Sequence, residues 1–371
     1  MKTYAALTPT FGPAPDTLLQ GLALLPQVEV HVVVCTRAPL PSPEKIAPNI
    51  FYHSLLVPKI GWMRTLFQGC IRAVRKKLKE IQPAIVHGQG TEAHYALAAV
   101  FSGFPNVITI HGNMRRVAAV EKHGPFSYFW LAARLERFVL PRTQGVVCLS
   151  QHTRQQVAGL ARHTWVVPNA VDPSFFELKA QSLPGAPPRI LCVARVCPLK
   201  NQNAFIRALD PLAERRKFEL RFCGPASEDD PYAREFLSLV KARPWCVNHG
   251  LTGREELQGL LRQASVLVLP TLEDNCPMVV LEAMAAGVPV VAAQVSGLPD
   301  LIEEGKTGFF CDPLDAASMA AAVEQVLANP AAAAAVARQA HQRAQERFHP
   351  QAIAQRHLEI YQEVLRMDHK P

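Results

Sequence analysis

The sequence predicts an α/β protein of two Rossmann-like domains, each a doubly wound parallel sheet, that face a central cleft. A chain of 371 residues is long for a single domain. Short β-branched runs alternate with helical stretches along its whole length, which indicates βαβ units. The segment Leu178–Pro188 contains three prolines and one glycine without apolar periodicity, which is typical of a linker.

The first half contains five strand candidates with helical patterns between them. The strands are Val28–Cys35, Ala84–His87, Val107–Ile110, Val146–Leu149 and Trp165–Val167. The helical patterns cover 62–81, 91–102, 126–140 and 151–160. We therefore predict an N-terminal Rossmann-like domain over 1–176.

The second half repeats this rhythm. Its strand candidates are Arg189–Ala194, Phe218–Cys223, Ser265–Leu269 and Val288–Ala292. Alanine favours helix, so 316–340 is predicted to be helical and broken at Asn329-Pro330. The expected domain is 189–348, followed by 349–371, whose amphipathic helix over 350–366 returns to the N-terminal domain.

Composition excludes several classes of protein. The longest apolar runs are far shorter than the roughly 18 residues that a membrane span needs, and the first residues lack a signal-peptide pattern. Nine scattered cysteines without a C-x-x-C pair predict reduced thiols in a cytoplasmic protein, not a disulfide framework or zinc site. The absence of G-x-G-x-x-G argues against a dinucleotide oxidoreductase.

The net charge of +8 is concentrated in the N-terminal half. Residues 1–175 hold 18 Lys/Arg against 8 Asp/Glu. Six basic residues fall in the predicted helix 62–81: Arg64, Arg72, Arg75, Lys76, Lys77 and Lys79. Two interpretations stay open, a solvated helix face and a surface for an anionic acceptor or anionic lipid at the inner face of the membrane. Nucleic acid is not expected as a partner, because no aromatic residues are interleaved with these cations.

Polar residues follow two predicted strands, where ligands bind in open α/β sheets. Arg195 and Lys200 lie on the loop after Arg189–Ala194, leading into a helix near 201, and a guanidinium, an ammonium and a helix N-terminus together suit a diphosphate. After Ser265–Leu269 come Glu273, Asp274 and Asn275.

Glu282 lies in the otherwise apolar helical run Val-Val-Leu-Glu-Ala-Met-Ala-Ala-Gly. A buried carboxylate needs hydrogen-bonding partners. The hydroxyls of a ribose would serve, and so would neighbouring backbone amides.

This block resembles the signature of the GT-B-fold retaining glycosyltransferases of the GT4 type (glycosyltransferase family 4, group 1). In that family an acidic residue and a Glu are separated by seven residues, as Asp274 and Glu282 are here. The Arg195–Lys200 pair, the Val-Pro-Asn-Ala-Val-Asp run at 167–172 and the turn Ser296–Pro299 are similar to the family's other motifs. The resemblance covers nearly the whole chain, most strongly 165–310.

The resemblance implies a role for each matching residue on the donor side. Arg195 and Lys200 would neutralise the donor diphosphate, and Glu282 would bind the ribose hydroxyls. Asp274 and Asn275, with the backbone amides that follow them, would hold hydroxyls of the transferred sugar. The remaining donor-binding candidates are Glu273, Cys276, Pro277, Met278, Gly297 near the phosphates or base, and Gly12 in the first βα turn.

The resemblance implies that the N-terminal domain, 1–176, serves the acceptor side. In that domain His111, in the run Ile-Thr-Ile-His-Gly-Asn-Met-Arg, matches the family's active-site histidine. The resemblance implies that it lies near the anomeric carbon and bonds a sugar hydroxyl. His87 also follows a strand and is predicted to support the cleft, while Arg115 and Arg116 are candidates for contact with an acceptor phosphate.

The chain departs from the family pattern at three positions. Asp274 stands where the commonest form has Glu, Lys200 is followed by Asn in place of Gly, and Gly12 stands alone in place of a glycine pair. The absence of D-x-D predicts that no metal or other cofactor is needed, with a nucleotide-sugar as co-substrate. The predicted function is transfer of a sugar to an acceptor hydroxyl in polysaccharide, glycolipid or other glycoconjugate synthesis. A nucleotide-sugar epimerase of the same fold and a non-catalytic sugar-binding protein are the alternatives.

Overall fold

The computed structural model describes residues 11–40, 43–120, 124–125, 127–179, 181 and 185–368. The chain divides into two compact units. Unit 1 comprises the described residues of 1–170 together with those of 350–371, and unit 2 comprises those of 171–349. Part of the expected linker, Leu178–Pro188, and the strand side of the first βα turn before Phe11 lie outside the described residues.

Thirteen strands and fifteen α-helices are found in the described ranges. The strands are β1 Val30–Thr36, β2 Lys45–Ala47, β3 Ile50–Leu56, β4 Val86–Gln89, β5 Asn106–Ile110, β6 Gly145–Cys148, β7 Thr164–Val166, β8 Arg189–Val193, β9 Glu219–Cys223, β10 Cys246–Asn248, β11 Val266–Leu269, β12 Val290–Ala293 and β13 Phe309–Cys311. The helices are α1 Pro13–Ala23, α2 Gln68–Ile81, α3 Tyr95–Val100, α4 Met114–Val120, α5 Tyr128–Val139, α6 Gln151–Gln156, α7 Gln202–Ala208, α8 Asp210–Arg215, α9 Pro231–Lys241, α10 Arg254–Gln263, α11 Met278–Ala285, α12 Leu298–Leu301, α13 Ala316–Ala328, α14 Pro330–Arg347 and α15 Pro350–Asp368.

Unit 1 has two sheets. In the first, β4, β5, β6 and β7 are parallel neighbours in chain order. In the second, β3 pairs with β1 in parallel and with β2 antiparallel. All five residues of β5 are buried, which fits a strand covered by helices on both faces.

The C-terminal helix α15 packs on α1 within unit 1. A Cβ at Gly21 of α1 would lie 2.1 Å from the carbonyl oxygen of Pro350, so only glycine permits this approach. The Trp165 indole donates to Glu363 over 2.7 Å. These contacts explain why residues 350–368 belong to unit 1, although the rest of that unit lies in the first 170 residues of the sequence.

Unit 2 is a six-stranded parallel sheet in the order β10-β9-β8-β11-β12-β13. The strand order reverses between β8 and β11, which pair directly. In such sheets the crevice beyond the carboxyl ends at the reversal point binds ligands. The loops after β8 and β11 are the ones that carry the predicted diphosphate and sugar residues.

The predicted helix over 62–81 is wrong in its first part. The helix begins at Gln68, and Met63–Thr65 forms a separate short 3₁₀ turn. Leu66 and Phe67 have φ of 48° and 63°, a left-handed conformation that an α-helix cannot contain. Arg64 therefore lies outside the helix that carries the other five cations.

Among the described residues, no single helix is long and apolar enough to cross a membrane. One pair of segments, 316–328 with 330–367, meets the length and composition criteria only when joined across a 98° bend.

Candidate active site

Three loops are tied together at the carboxyl edge of the unit 2 sheet. After β8, the carbonyl oxygen of Leu199 accepts hydrogen bonds from the Leu272 amide at 2.8 Å and the Thr271 hydroxyl at 3.0 Å, both after β11. After β12, the Gly297 amide donates to the carbonyl oxygen of Asp274 over 3.0 Å. Strands β8, β11 and β12 are neighbours, so the predicted phosphate, sugar and base loops form one hydrogen-bonded edge.

Lys200 and Asp274 meet across this edge. The Lys200 ammonium lies 2.5 Å from the Asp274 carboxylate, and both side chains are largely buried. The residue after Lys200, Asn201, has φ of 59° and donates from its side chain to the Pro313 carbonyl oxygen over 2.8 Å. Because asparagine tolerates the left-handed conformation better than most residues, it can take the place of the family's glycine here.

Arg195 is placed differently from Lys200. Its side chain is exposed on the loop after β8. The backbone of the preceding residue, Ala194, packs closely against Gly224. A Cβ at Gly224 would lie only 2.0 Å from the carbonyl oxygen of Ala194. The loop after β9 thus presses against the loop of Arg195, and Gly224, with φ of 146°, makes this contact possible.

Glu282, on α11, is mostly buried and close to a charged pair that the sequence did not point to. Arg254 forms an ion pair with Asp172, and both charges act on Glu282. Burial raises the pKa of Glu282 to about 7, an effect that Arg254 opposes and Asp172 increases. Among the described residues, no hydrogen bond joins its carboxylate to a backbone amide, and contact with a ribose stays a prediction.

The other donor-side candidates differ in exposure. Cys276, Pro277 and Gly297 are buried, whereas Glu273, Asn275 and Met278 are partly accessible. Gly12, in unit 1, has φ of 101°, and a Cβ there would meet no atom within 4 Å. Backbone conformation alone therefore requires a glycine at position 12.

In unit 1, His111 belongs to a chain of polar side chains that ends on α15. His111 Nε2 donates to the Gln89 side-chain oxygen over 3.0 Å, and the Gln89 amide nitrogen lies 3.2 Å from His87 Nδ1. His87 in turn lies 2.7 Å from both the Tyr361 hydroxyl and the Thr109 hydroxyl. His87 is thus held by hydrogen bonds inside unit 1, and its support of the cleft stays a prediction. Gln89 and Tyr361 are members of this chain of side chains that the sequence did not indicate.

The imidazoles of this chain are neutral at physiological pH. Burial, with a smaller effect of His357, lowers the pKa of His111 to about 4. Burial also lowers the pKa of His357 to about 4 and that of His87 well below its ordinary value. His357 stacks on His87 with ring centroids 5.5 Å apart. A neutral His111 is a hydrogen-bonding group, not a cation.

Arg115 is engaged inside unit 1. Its guanidinium lies 3.3 Å from the fully buried Glu136 carboxylate and donates to the Gln156 carbonyl oxygen over 2.8 Å. Glu136 also accepts from the Thr91 hydroxyl. Arg116 is exposed. Contact of either arginine with an acceptor phosphate stays a prediction.

Two family models match this chain. The model of glycosyl transferases group 1 matches residues 187–329, and the model of glycosyltransferase family 4 matches residues 17–175. Together they span most of the sequence and coincide with the predicted halves.

Curated relatives share about a quarter of their residues with this chain. The glycogen synthase of Mycobacterium tuberculosis (strain ATCC 25618 / H37Rv) is 29% identical over 336 residues, which cover 84% of this chain and 78% of the relative. The 2-deoxystreptamine glucosyltransferase of Streptomyces kanamyceticus is 26% identical over 345 residues, or 86% of each chain.

Solved structures show the fold. Sucrose-phosphate synthase from Thermosynechococcus elongatus superposes with a TM-score of 0.75 at 20% identity, covering 94% of this chain and 92% of that one. Anabaena HepE in complex with UDP and glucose gives a TM-score of 0.71 at 18% identity, covering 96% and 97%. The predicted GT-B class, an α/β architecture of two domains with parallel sheets and flanking helices, is confirmed.

Proposed function

We propose that this protein, which belongs to the group 1 glycosyltransferases of family 4, transfers a sugar from a nucleoside-diphosphate sugar to an acceptor hydroxyl with retention of anomeric configuration. The observation that carries the proposal is the edge of unit 2, where Lys200 and Asp274 meet and the hydrogen-bonded loops after β8, β11 and β12 converge. The complexes of Anabaena HepE with UDP and with UDP-glucose support this donor class.

In this proposal Lys200 and Arg195 bind the diphosphate. Cleavage of the bond between the anomeric carbon and the phosphate oxygen leaves negative charge on the diphosphate. Cations held in advance at that position lower the barrier without the reorganisation that water would need. We therefore propose a metal-independent reaction, and expect full turnover without added Mg²⁺ or Mn²⁺.

Asp274 takes part through its ion pair. Without donor, the Asp274 carboxylate is the partner of the Lys200 ammonium. A diphosphate offers that ammonium a stronger anion, so donor binding releases the carboxylate to accept hydrogen bonds from sugar hydroxyls. The pair thus couples recognition of the phosphates to recognition of the sugar.

Glu282 is proposed to bind the two ribose hydroxyls. Its carboxylate is mostly buried, has a raised pKa and makes no hydrogen bond in the described part of the chain. A buried carboxylate in that condition costs free energy until donors reach it. Ribose hydroxyls supply those donors, and Arg254 favours the ionised form that accepts them.

His111 is proposed to bond a hydroxyl of the transferred sugar. Positive charge develops on the sugar ring in the transition state, so an imidazolium beside it would raise the barrier. The low pKa of His111 keeps this imidazole neutral. Retention of configuration rests on the family resemblance.

The relatives are glycosyltransferases, so an epimerase is not favoured. The decisive experiment is a thermal-shift screen of nucleoside diphosphates and nucleotide-sugars, followed by product analysis by NMR with and without acceptors. A ligand at 100 times its Kd stabilises the protein by about 2.7 kcal/mol. We expect a nucleoside diphosphate to raise Tm and a new glycosidic linkage to form only with acceptor. A sugar converted without acceptor, or no diphosphate that binds, would overturn the proposal.

We further propose that the acceptor is presented at an anionic membrane. Apolar side chains protrude just before the basic helix α2, with Ile60 70% exposed and Leu66 50% exposed. Exposed cations follow on α2 at Arg72, Arg75, Lys76 and Lys79. Protruding apolar groups beside cations favour anionic lipid, because the cations attract headgroups while the apolar groups enter the interface.

The cations of α2 are not equally suited to a test of membrane binding. Lys77 pairs with Glu80 at 2.6 Å and is a poor probe, so we choose charge reversal at Arg72, Arg75 and Lys76. We expect this triple variant to lose most binding to phosphatidylserine-containing vesicles, at about 1 kcal/mol per cation. The matched control reverses three exposed cations of unit 2: Lys217, Lys241 and Arg338. Equal vesicle binding by the two variants would remove the membrane from the proposal.

A further inference from the structure

We infer that unit 1 contains a structural zinc site formed by Cys35, Cys70 and His94. One ligand atom from each residue lies within 4.8 Å of the other two, and all three residues are buried. They come from β1, from α2 and from the residue before α3. None of them belongs to the hydrogen-bonded chain around His111, so this site is separate from the transfer reaction.

His94 supplies the observation that points to a ligand. The residue is 4% exposed, and its Nδ1 atom is buried without a hydrogen-bond partner. An imidazole nitrogen buried without a partner costs free energy comparable to a lost hydrogen bond. A metal ion coordinated by the imidazole removes that cost.

The ring of His94 is held in place by aromatic neighbours. Trp62 meets it edge-on with centroids 5.4 Å apart, and Tyr95 lies at 4.5 Å. The Trp62 indole is itself anchored by a 3.1 Å hydrogen bond to the Val57 carbonyl oxygen. The imidazole therefore faces the two thiols in a fixed orientation, as a metal ligand requires.

The two cysteines interact with each other. The Cys35 sulfur lies 4.0 Å from the carbonyl oxygen of Cys70. The other seven cysteines are also buried, but no second cluster of three ligands is found among the described residues.

The ligand set and its dimensions favour Zn²⁺. Zinc binds cysteine sulfur at about 2.3 Å and histidine nitrogen at about 2.0 Å, so a tetrahedral ion holds its ligand atoms about 3.5–3.8 Å apart. The distances between the three atoms, which are within 4.8 Å, need to shorten by at most about 1.3 Å. Binding releases two protons, one from each thiol, and two thiolates cancel the charge of the ion, which allows the complex to be buried. Three protein ligands leave the fourth position of a tetrahedral ion open to water.

Such a site would fasten three elements of unit 1. Cys35 is in a strand, Cys70 is in the first turn of α2, and His94 ends the loop that precedes α3. Because the ligands are dispersed in the unfolded chain, zinc binding stabilises the folded state. This inference departs from the expectation drawn from the sequence that the cysteines form no zinc site, because positions 35, 70 and 94 have no metal-binding spacing.

The test uses the full chain, reduced, loaded with ZnCl₂ and desalted. We expect one Zn²⁺ per chain by elemental analysis, a higher Tm, and a thiolate-to-cobalt charge-transfer band when Co²⁺ replaces zinc. The cobalt spectrum is measured on the wild-type protein, so the result does not depend on whether a variant folds. Zinc that does not remain with the wild-type protein, or a cobalt spectrum without thiolate character, would overturn the inference.

Variants then assign the ligands. The double variant Cys35→Ala/Cys70→Ala and the single variant His94→Ala should each lose the retained zinc and the zinc-dependent rise in Tm. The matched control is Cys148→Ala, a fully buried cysteine of β6 in the same unit. It should bind zinc as the wild type does. Retention of zinc by the double variant, or its loss from Cys148→Ala alone, would place the ion elsewhere and contradict the assignment.

Discussion

Replacement of Glu282 by glutamine should stabilise the protein while weakening its affinity for nucleotide. The side chain is mostly buried in α11, and burial raises its pKa to about 7 in spite of Arg254. An ordinary glutamate titrates near 4.5. The folded protein therefore bears a cost for ionising Glu282 that the unfolded chain does not bear. Glutamine has nearly the same shape and no charge, so Glu282→Gln removes that cost.

The magnitude follows from the two pKa values. Between about pH 4.5 and pH 7 the folded state binds more protons at Glu282 than the unfolded state, so the free energy of unfolding falls as pH rises. The cost is absent below this window and complete above it. A shift of about 2.5 units corresponds to about 3 kcal/mol. As the pH rises from about 5 to about 8, the free energy of unfolding of the variant should therefore increase by about this amount relative to that of the wild type. Any contribution that the amide of glutamine adds to this difference does not change with pH.

The assay is denaturant unfolding of wild type and variant across that range. Only the difference between them is informative, because the buried histidines act in the opposite direction. His111 and His357 have folded pKa values of about 4, so they make the protein less stable as pH falls below their unfolded value. Their effect cancels in the difference. Glu214→Gln, at an exposed glutamate of the same unit, is the control and should give a flat difference.

The affinity for nucleotide provides a second test of the role of Glu282. If ribose hydroxyls donate to the ionised carboxylate, affinity for the nucleoside diphosphate should decline up to about tenfold per pH unit below pH 7. The variant should bind more weakly and lack this slope, as measured by calorimetry. A difference in stability that does not change with pH would refute the electrostatic reasoning, whereas unchanged nucleotide affinity would remove Glu282 from the site.

Three further predictions concern the edge of unit 2 and the histidine chain. Lys200→Ala and Arg195→Ala should each lower kcat by about 10²–10³, and full turnover of both at saturating donor would contradict the leaving-group role. Tyr361→Phe removes the hydroxyl bonded to His87 and should lower kcat about tenfold with little change in donor KM and a shifted pH profile; a loss of stability alone would indicate a purely structural tyrosine. Gly224→Ala should destabilise unit 2 by several kcal/mol, measured by denaturant unfolding, because its methyl group would overlap the carbonyl oxygen of Ala194; a stability equal to wild type would contradict the close approach.

The sequence predicted well what depends on local pattern. The alternation of strands and helices predicted most of the parallel strands in both units, and most boundaries of the predicted strands are shifted by one or two residues. The loops after β8 and β11 carry Lys200 and Asp274 as expected, because ligand residues in these folds follow strand ends. Asn329-Pro330 divides α13 from α14, since proline lacks the amide that a helix interior needs.

The sequence could not predict features that depend on distant residues or on unusual backbone. Strand β3 was not foreseen, because its polar His53 and Ser54 obscure the apolar pattern. The left-handed residues Leu66 and Phe67 belong to types that ordinarily favour helix or strand. No spacing indicated that Tyr361 would reach His87, 274 positions earlier.

The cations at the edge of unit 2 and the uncharged histidines of unit 1 agree with the chemistry proposed. In unit 2, Lys200, which pairs with Asp274, and the exposed Arg195 are proposed to bind the leaving diphosphate. In unit 1, burial keeps His87, His111 and His357 uncharged, although residues 1–175 are strongly basic. A glycosyl transfer needs cations where the phosphate departs and neutral acceptors where the ring becomes positive. The low pKa of His111 is therefore as much a part of the proposed mechanism as the charge of Lys200.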